Sequence, residues 1–212
     1  MAVKIHHELS LLDQLHYRAS RLLRRETVCL YTRHHAGPDH AARTAGIFDL
    51  VIPGPDEIER YSADLQQHFK LEQAVLEERL RRGHQVLLAL HEQQVVAMLW
   101  LAFDSISVQE IGAELALGPK EFITYHAFTR SAWRGLGLST ALNERAYRHA
   151  WQQHKSVQLA WRQPNNRSSM RVAQKLGQTR ICEVHSLWFL GFRLWRSVTS
   201  YRPTAPALRF MR

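Results

Sequence analysis

The chain has 212 residues, 45% of them hydrophobic, and a formal net charge of +9 with its 13 histidines taken as neutral. A chain of that size and composition buries a core of its own, as one domain with additions or as two small domains, and is neither a disordered segment nor a disulfide-stapled miniature. No run of about 18 apolar residues occurs, so no transmembrane helix is expected; the opening Met-Ala-Val-Lys-Ile-His-His-Glu lacks the apolar stretch of a signal peptide; and two cysteines, Cys29 and Cys182, make no disulfide framework, which fits a reducing cytoplasm.

In residues 8–25, Leu9, Leu12, Leu15, Leu22 and Leu23 alternate with Arg18, Arg21, Arg24 and Arg25 at helical spacing. This predicts an amphipathic helix with a basic second half, packed on the domain with a solvated face or docked on an anionic partner. Thr27–Arg33 reads as the first strand. His34-His35-Ala36-Gly37-Pro38-Asp39-His40 is a turn-forming loop whose histidines lack the spacing that holds a metal, so no metal is expected. Phe48–Ile52 is a further short strand. Gly54-Pro55-Asp56 opens a helix with Ile58, Tyr61, Leu65, Phe69, Val75, Leu76 and Leu80 on its inner face, closing at Arg81-Arg82-Gly83; at about 26 residues it is one helix or two. Gln85–His91 and Val95–Phe103 flank Glu92-Gln93-Gln94 as a hairpin. The pattern from Asp104 to Lys120 is weaker: Glu114–Leu117 is expected to extend the sheet and Gly118-Pro119 to turn.

Glu121–Thr129 is a β-rich run, and Leu138, Leu142, Ala146, Tyr147, Ala150 and Trp151 follow at helical spacing. Between them lies Arg134-Gly135-Leu136-Gly137-Leu138-Ser139. A glycine-rich turn between a strand and a helix aims backbone N–H groups and the positive end of the helix dipole at one point, which binds phosphate. It has neither the Gly-Lys-Ser/Thr ending of a Walker loop nor the Gly-x-Gly-x-x-Gly spacing of a dinucleotide fold. Farther on, Val157, Leu159 and Trp161 alternate as a half-buried strand, and Asn166 or Ser168 is placed to cap a helix with Ser169, Val172, Ala173 and Leu176 on its inner stripe and Gly177 at its end. Arg180–Ser186 and Trp188–Val198 read as a last strand pair. The aromatic residues of that segment, Trp188, Phe189, Phe192 and Trp195, belong to core and sheet edge, with a membrane-interface anchor as the alternative. Pro203-Thr204-Ala205-Pro206 is a loose tail.

The 134–139 stretch resembles the pyrophosphate-binding Arg-x-x-Gly-x-Gly/Ala motif of GNAT-type acyl-CoA N-acyltransferases, with Arg134 and Gly137 matching and Ser139 where Gly or Ala is usual. Asn166-Arg167-Ser168-Ser169, running on to Lys175-Leu176-Gly177, is similar to that family's Asn-x-x-Ser/Ala…Lys-Leu-Gly segment. The resemblance covers roughly residues 85–190, and two ordered matches are more specific than either alone. It implies an α/β fold with a mixed twisted sheet of about six or seven strands and flanking helices. To this the chain adds an N-terminal helix, giving a basic helix at 1–25, the acyltransferase domain at 26–202 and a tail at 203–212. The family's fourth and fifth strands, here 121–129 and 156–162, are expected to splay and hold the acyl-CoA. The pyrophosphate would then rest on the N–H groups of Arg134, Gly135, Leu136, Gly137, Leu138 and Ser139. The pantetheine would pair with the exposed backbone of 126–129, including Ala127, Phe128 and Thr129, close to Asn166 and Ser169.

The implied activity is acetyl or other acyl transfer from coenzyme A to a primary amine by direct attack, without a metal. Such a reaction needs a proton acceptor for the amine and N–H donors for the carbonyl oxygen, the latter expected near Phe128. The candidate bases are His126, Tyr125 and Glu121. Strand alternation puts Tyr125 and Glu121 on one face and His126 on the other unless a bulge intervenes. Many relatives carry a tyrosine where this chain has Ala173, leaving Tyr147 and Tyr201 as stand-in general acids or the thiolate to leave unaided. Two rivals stand beside this reading: an N-acyl amino-acid synthase fed by a long-chain acyl carrier protein, and a non-catalytic coenzyme-A-binding module. The positive charge alone also suits nucleic acid or anionic lipid, but no interleaved aromatic and basic residues favour nucleic acid. A homodimer stays open.

Overall fold

The computed structural model describes residues 23–34, 47–190, 192–201 and 208–209. Its strands are β1 (Leu23–His34), β2 (Asp49–Val51), β3 (Gln85–His91), β4 (Gln94–Ala102), β5 (Ser105–Val108), β6 (Ala113–Ala116), β7 (Glu121–Thr129), β8 (Val157–Arg162), β9 (Thr179–Phe189), β10 (Phe192–Ser200) and β11 (Leu208–Arg209). Its helices are α1 (Glu59–Phe69), α2 (Gln73–Arg81), α3 (Leu138–Gln152) and α4 (Arg167–Lys175). The main sheet has eight strands in the order β10-β9-β1-β8-β7-β4-β3-β2, slightly more than expected; every pairing is antiparallel except β7 with β8.

The central strands are apolar almost throughout because both faces are covered. Val86, Leu88, Met98 and Trp100 pack under Leu65, Phe69 and Leu76 of α1 and α2. Leu87, Leu99, Leu101 and Phe122 pack under Leu138, Leu142, Ala146 and Tyr147 of α3 on the other side. The long helix predicted after Gly54 is two: Lys70 adopts a left-handed conformation (φ 53°) that ends α1, and α2 begins at Gln73. The β3–β4 hairpin turns on Glu92 and Gln93, both with positive φ, a conformation usually left to Gly or Asn.

Four expectations need correction. Leu23, Arg24 and Arg25 belong to β1 and not to an N-terminal helix; the remainder of that helix lies outside the described residues, as do the histidine loop beyond His34 and most of the tail. Glu114–Leu117 does not extend the main sheet, since β6 pairs with β5 and β11 in a separate three-stranded sheet. The last hairpin turns after Phe189, so Trp188 ends β9 and does not begin β10. On β10, Phe192, Leu194 and Trp195 are exposed, so the strand is a sheet edge and those side chains are not core. Both cysteines are buried free thiols. Among the described residues no helix is long and apolar enough to cross a membrane.

Candidate active site

The parallel strands β7 and β8 pair over three positions only, Glu121 with Val157, Phe122 with Gln158 and Ile123 with Leu159, and then diverge. A buried amide network marks the point of divergence. Asn143 Oδ1 of α3 accepts from Thr124 Oγ1 of β7 (3.1 Å) and from Gln158 Nε2 of β8 (2.8 Å), while Asn143 Nδ2 donates to the Ser139 carbonyl (2.8 Å). The two strands and the first turn of α3 are thus locked at the apex of the gap. Past it, the β8-facing backbone of β7 has no strand partner, and a cavity of about 860 Å³ opens there.

A β-bulge interrupts β7 inside this cavity. Met98 pairs with Phe128 but Trp100 with Tyr125, so His126 and Ala127 together face Leu99, and His126 has φ 46°. The bulge resets the alternation. Tyr125 and His126 both reach the α1/α2 side of the sheet, the phenol bonding His84 Nδ1 at 2.6 Å and the imidazole meeting Arg79 of α2. Arg79 Nη1 lies 2.7 Å from His126 Nδ1, with the guanidinium stacked over Trp100 and Tyr125. An arginine has no acceptor to offer, so His126 Nδ1 is the acceptor and the ring proton sits on Nε2. His126 is exposed toward the open cavity, yet the protein packed around its ring, and then the Arg79 charge, pull its pKa down to about 4. Burial also raises the Tyr125 pKa and, with Arg82, lowers that of His84, which leaves a neutral phenol–imidazole pair.

The glycine-rich loop closes the α3 side of the cavity. Gly135 (φ 86°) and Gly137 (φ 80°) are both left-handed, and Gly137 is the N-cap of α3. No backbone N–H from Gly135 to Thr140 bonds a carbonyl among the described residues, whereas Ala141 N–H already closes on Gly137. Unused donors at a helix N-terminus make an anion site. Arg134 ties the loop to β7 through Nε to the Thr129 carbonyl (3.1 Å). Opposite, Asn166 Oδ1 caps α4 by accepting from Ser169 N–H (3.0 Å). Four cations line the cavity, Arg134, Arg162, Arg171 and Lys175, and none forms an ion pair among the described residues. Arg162 is the most constrained. It is buried, Nη1 donates to Ser169 Oγ and Nη2 to Gln178 Oε1 (2.6 Å each), Nε has no partner, and burial lowers its pKa to about 10.

Of the residues singled out in the sequence, Tyr125, His126, Ala127, Phe128 and Thr129 line the cavity. So do Arg134, Gly135, Gly137, Leu138 and Ser139, and across the gap Asn166 and Ser169. Two do not. Leu136 is exposed at the loop tip, and Glu121 sits at the far end of β7, its Oε2 accepting from Gly118 N–H at 2.7 Å. Ala173 is buried against Cys29 and Tyr31 of β1, away from the cavity. The stand-in tyrosines lie outside it too: Tyr147 donates to the Ser156 carbonyl and Tyr201 to Glu183. Sequence reasoning missed Arg79, Arg162 and Glu110, which reach the site only through tertiary folding. Among the described residues no group of three or more His, Cys, Asp or Glu converges on a metal position.

Residues 48–178 match the family model described as acetyltransferase (GNAT) family. No curated protein matches the sequence. Among solved structures, a GNAT-family protein from Novosphingobium aromaticivorans superposes with a TM-score of 0.52 at 16% identity, covering 78% of this chain and 66% of that one. A GCN5-related N-acetyltransferase from Sphaerobacter thermophilus gives 0.56 at 13% identity, covering 91% and 57%. The glucosamine N-acetyltransferase region of a fungal multi-domain β-N-acetylglucosaminidase gives 0.57 at 12%, covering 80% and 22%. The chain therefore spans less than two thirds of these proteins' own length, and at such identities the likeness is one of fold.

Proposed function

Since the chain belongs to the acetyltransferase (GNAT) family, we propose that it transfers an acyl group, acetyl in the first instance, from coenzyme A to a primary amine by direct attack within a ternary complex. The observation that carries this reading is the single cavity joining the unpaired backbone of β7, the unused N–H groups of 135–140 and four cations without carboxylate partners. A long, flexible polyanion with an amide-bearing arm matches all three features. The loop N–H groups and Arg134 hold its pyrophosphate, and Arg171 and Lys175 face its remaining phosphate charge. The β7 backbone pairs with the pantetheine as an added strand. Coenzyme A, when bound, supplies a thioester whose thiolate is a good leaving group.

The protein's own part is positioning and hydrogen bonding. Backbone N–H groups at the bulge of His126 and Ala127 would meet the carbonyl oxygen as it develops charge. His126, neutral and protonated on Nε2, serves as a donor; with Nδ1 taken by Arg79 it has no lone pair with which to act as base. Among the described residues Tyr125 is the only tyrosine lining the cavity, and His84 engages its hydroxyl, so the thiolate leaves unaided and takes its proton afterwards. A thiol-release assay with acetyl-CoA and a panel of primary amines tests the reading. Amine-dependent release supports it, and binding of acetyl-CoA without release across the panel favours a non-catalytic module.

A further inference from the structure

On the side of the sheet away from α3 and α4 the cavity ends on a residue the mechanism above does not use. Glu110 lies in the short 3-10 turn Gln109–Ile111 between β5 and β6, and it is the only carboxylate lining the cavity among the described residues. The turn is firmly held. Val108 and Ile111 are buried in an apolar cluster against Trp161 of β8. Ser186 Oγ donates to the Glu110 carbonyl at 3.3 Å, and Arg193 and Arg196 donate to the carbonyl of Gly112. The Glu110 carboxylate itself engages none of the described residues. It is half-buried, and the cavity it lines is shared with the half-buried indole of Trp161, which packs on the flanking Val108 and Ile111 and stacks on Tyr125 at 5.6 Å and 19°.

We infer that Glu110 receives the ammonium group of the acceptor at this second mouth of the gap, so that the acceptor is a cationic alkyl amine and Glu110 is the group that takes its proton. The inference rests on the N-acyl-transfer reading and adds to it the acceptor's charge and the residue that meets it. Charge separation across the sheet carries it. Among the lining residues the four unpaired cations flank the β7–β8 gap where the coenzyme's phosphates fit, and the one carboxylate lies on the opposite face; the arginines on that face are turned elsewhere, Arg79 onto His126, Trp100 and Tyr125, and Arg193 and Arg196 onto the carbonyls of Ile111 and Gly112. A carboxylate and aromatic rings lining one cavity also offer the two kinds of contact an organic ammonium ion prefers. The step balances. The ammonium gives one proton to Glu110, and the freed lone pair forms the C–N bond to the thioester carbonyl carbon. The C–S bond breaks with its electron pair on sulfur, the nitrogen's second proton passes to that thiolate, and Glu110 returns its proton to water.

The test compares wild type with Glu110→Gln and Glu110→Asp. Thiol release from acetyl-CoA is followed with butylamine and spermidine, which are ammonium ions at neutral pH, and with aniline, which is not; acetyl-CoA affinity is measured by calorimetry. For Glu110→Gln the expected result is a fall of at least tenfold in kcat/KM for the alkyl amines, shared between a higher KM from the lost ammonium contact and a lower kcat from the lost proton acceptor. Aniline turnover and acetyl-CoA affinity stay within twofold, and Glu110→Asp recovers part of the loss. Unchanged alkyl-amine kinetics overturn the inference while leaving N-acyl transfer standing. An equal loss with aniline, or a parallel loss of acetyl-CoA affinity, marks a structural role and overturns it as well. A wild-type protein that binds acetyl-CoA but releases thiol with no amine overturns the transfer reading and this inference with it.

Discussion

Arg79 Nη1 and His126 Nδ1 are 2.7 Å apart, and the guanidinium that makes this contact has no carboxylate partner among the described residues. A permanent cation donating to the imidazole holds it in the neutral form, in the same direction as the desolvation that contributes most to the shift. The folded-state pKa is about 4 against an ordinary 6.5. Between those values the unfolded chain takes up the proton before the folded chain does, so this histidine's contribution to stability is present above the ordinary pKa and is lost as pH falls through the folded one. NMR of the His126 ring is expected to show no protonation from pH 7.5 down to about 5, and Arg79→Met is expected to bring the titration back toward 6.5. A wild-type ring titrating near its ordinary value contradicts the assigned tautomer and the exclusion of His126 as base.

Asn143 carries the apex of the gap, with its oxygen shared by Thr124 and Gln158 and its nitrogen on the Ser139 carbonyl. Asn143→Leu keeps the volume but removes every one of those partners. Gln158 Nε2 keeps Thr124 Oγ1 (3.1 Å) but loses its shorter bond, the Thr124 hydroxyl loses its acceptor, and the Ser139 carbonyl keeps only its backbone donor in α3. Buried groups left unsatisfied cost about 1–3 kcal/mol each, so urea unfolding is expected to give a loss of about 3 kcal/mol, with weaker coenzyme binding because the first turn of α3 loosens. A loss below about 1 kcal/mol contradicts the role assigned to the network.

Gly135 separates strain from crowding. A Cβ at this position meets no atom within 4 Å, yet φ is +86°. Gly135→Ala therefore pays only for the left-handed backbone, about 1–2 kcal/mol. A modest drop in Tm is expected, with a larger loss of acetyl-CoA affinity as the loop N–H groups turn away. Undiminished affinity in this variant contradicts the loop's role as an anion cradle.

The parts of the fold legible in the sequence are those with local causes. Glycine spacing and the helical repeat after it place the 134–139 loop at the start of α3, the alternation of Val157, Leu159 and Trp161 gives β8, and Asn166 caps α4 as its side chain predicts. What stayed hidden depends on distant partners or on residues in unusual conformations. Nothing near His126 announces a bulge, since a histidine there adopts the conformation that glycine usually supplies, and Glu92 and Gln93 form the β3–β4 turn in the same way. β1 lies between β8 and β9, pairing Cys29 with both Arg162 and Glu183, and no local pattern encodes a pairing across that many residues. Glu110 comes from a short polar turn that reads as loop, and Arg79 from a helix face that reads as solvent-exposed; only the tertiary fold brings them to the site.

The most direct test of the central claim is calorimetric titration of the wild-type protein and of Gly137→Glu with acetyl-CoA, with Tm recorded for both. Gly137 is the left-handed N-cap at the point where the unused N–H groups converge. A glutamate there places bulk and negative charge where the pyrophosphate is to sit, at a backbone cost of about 1–2 kcal/mol. Saturable binding by the wild type and a loss of at least a hundredfold in the variant, which still unfolds cooperatively, is the predicted result. Equal affinity in both proteins, or no binding by the wild type, contradicts the placement of the coenzyme in this cavity.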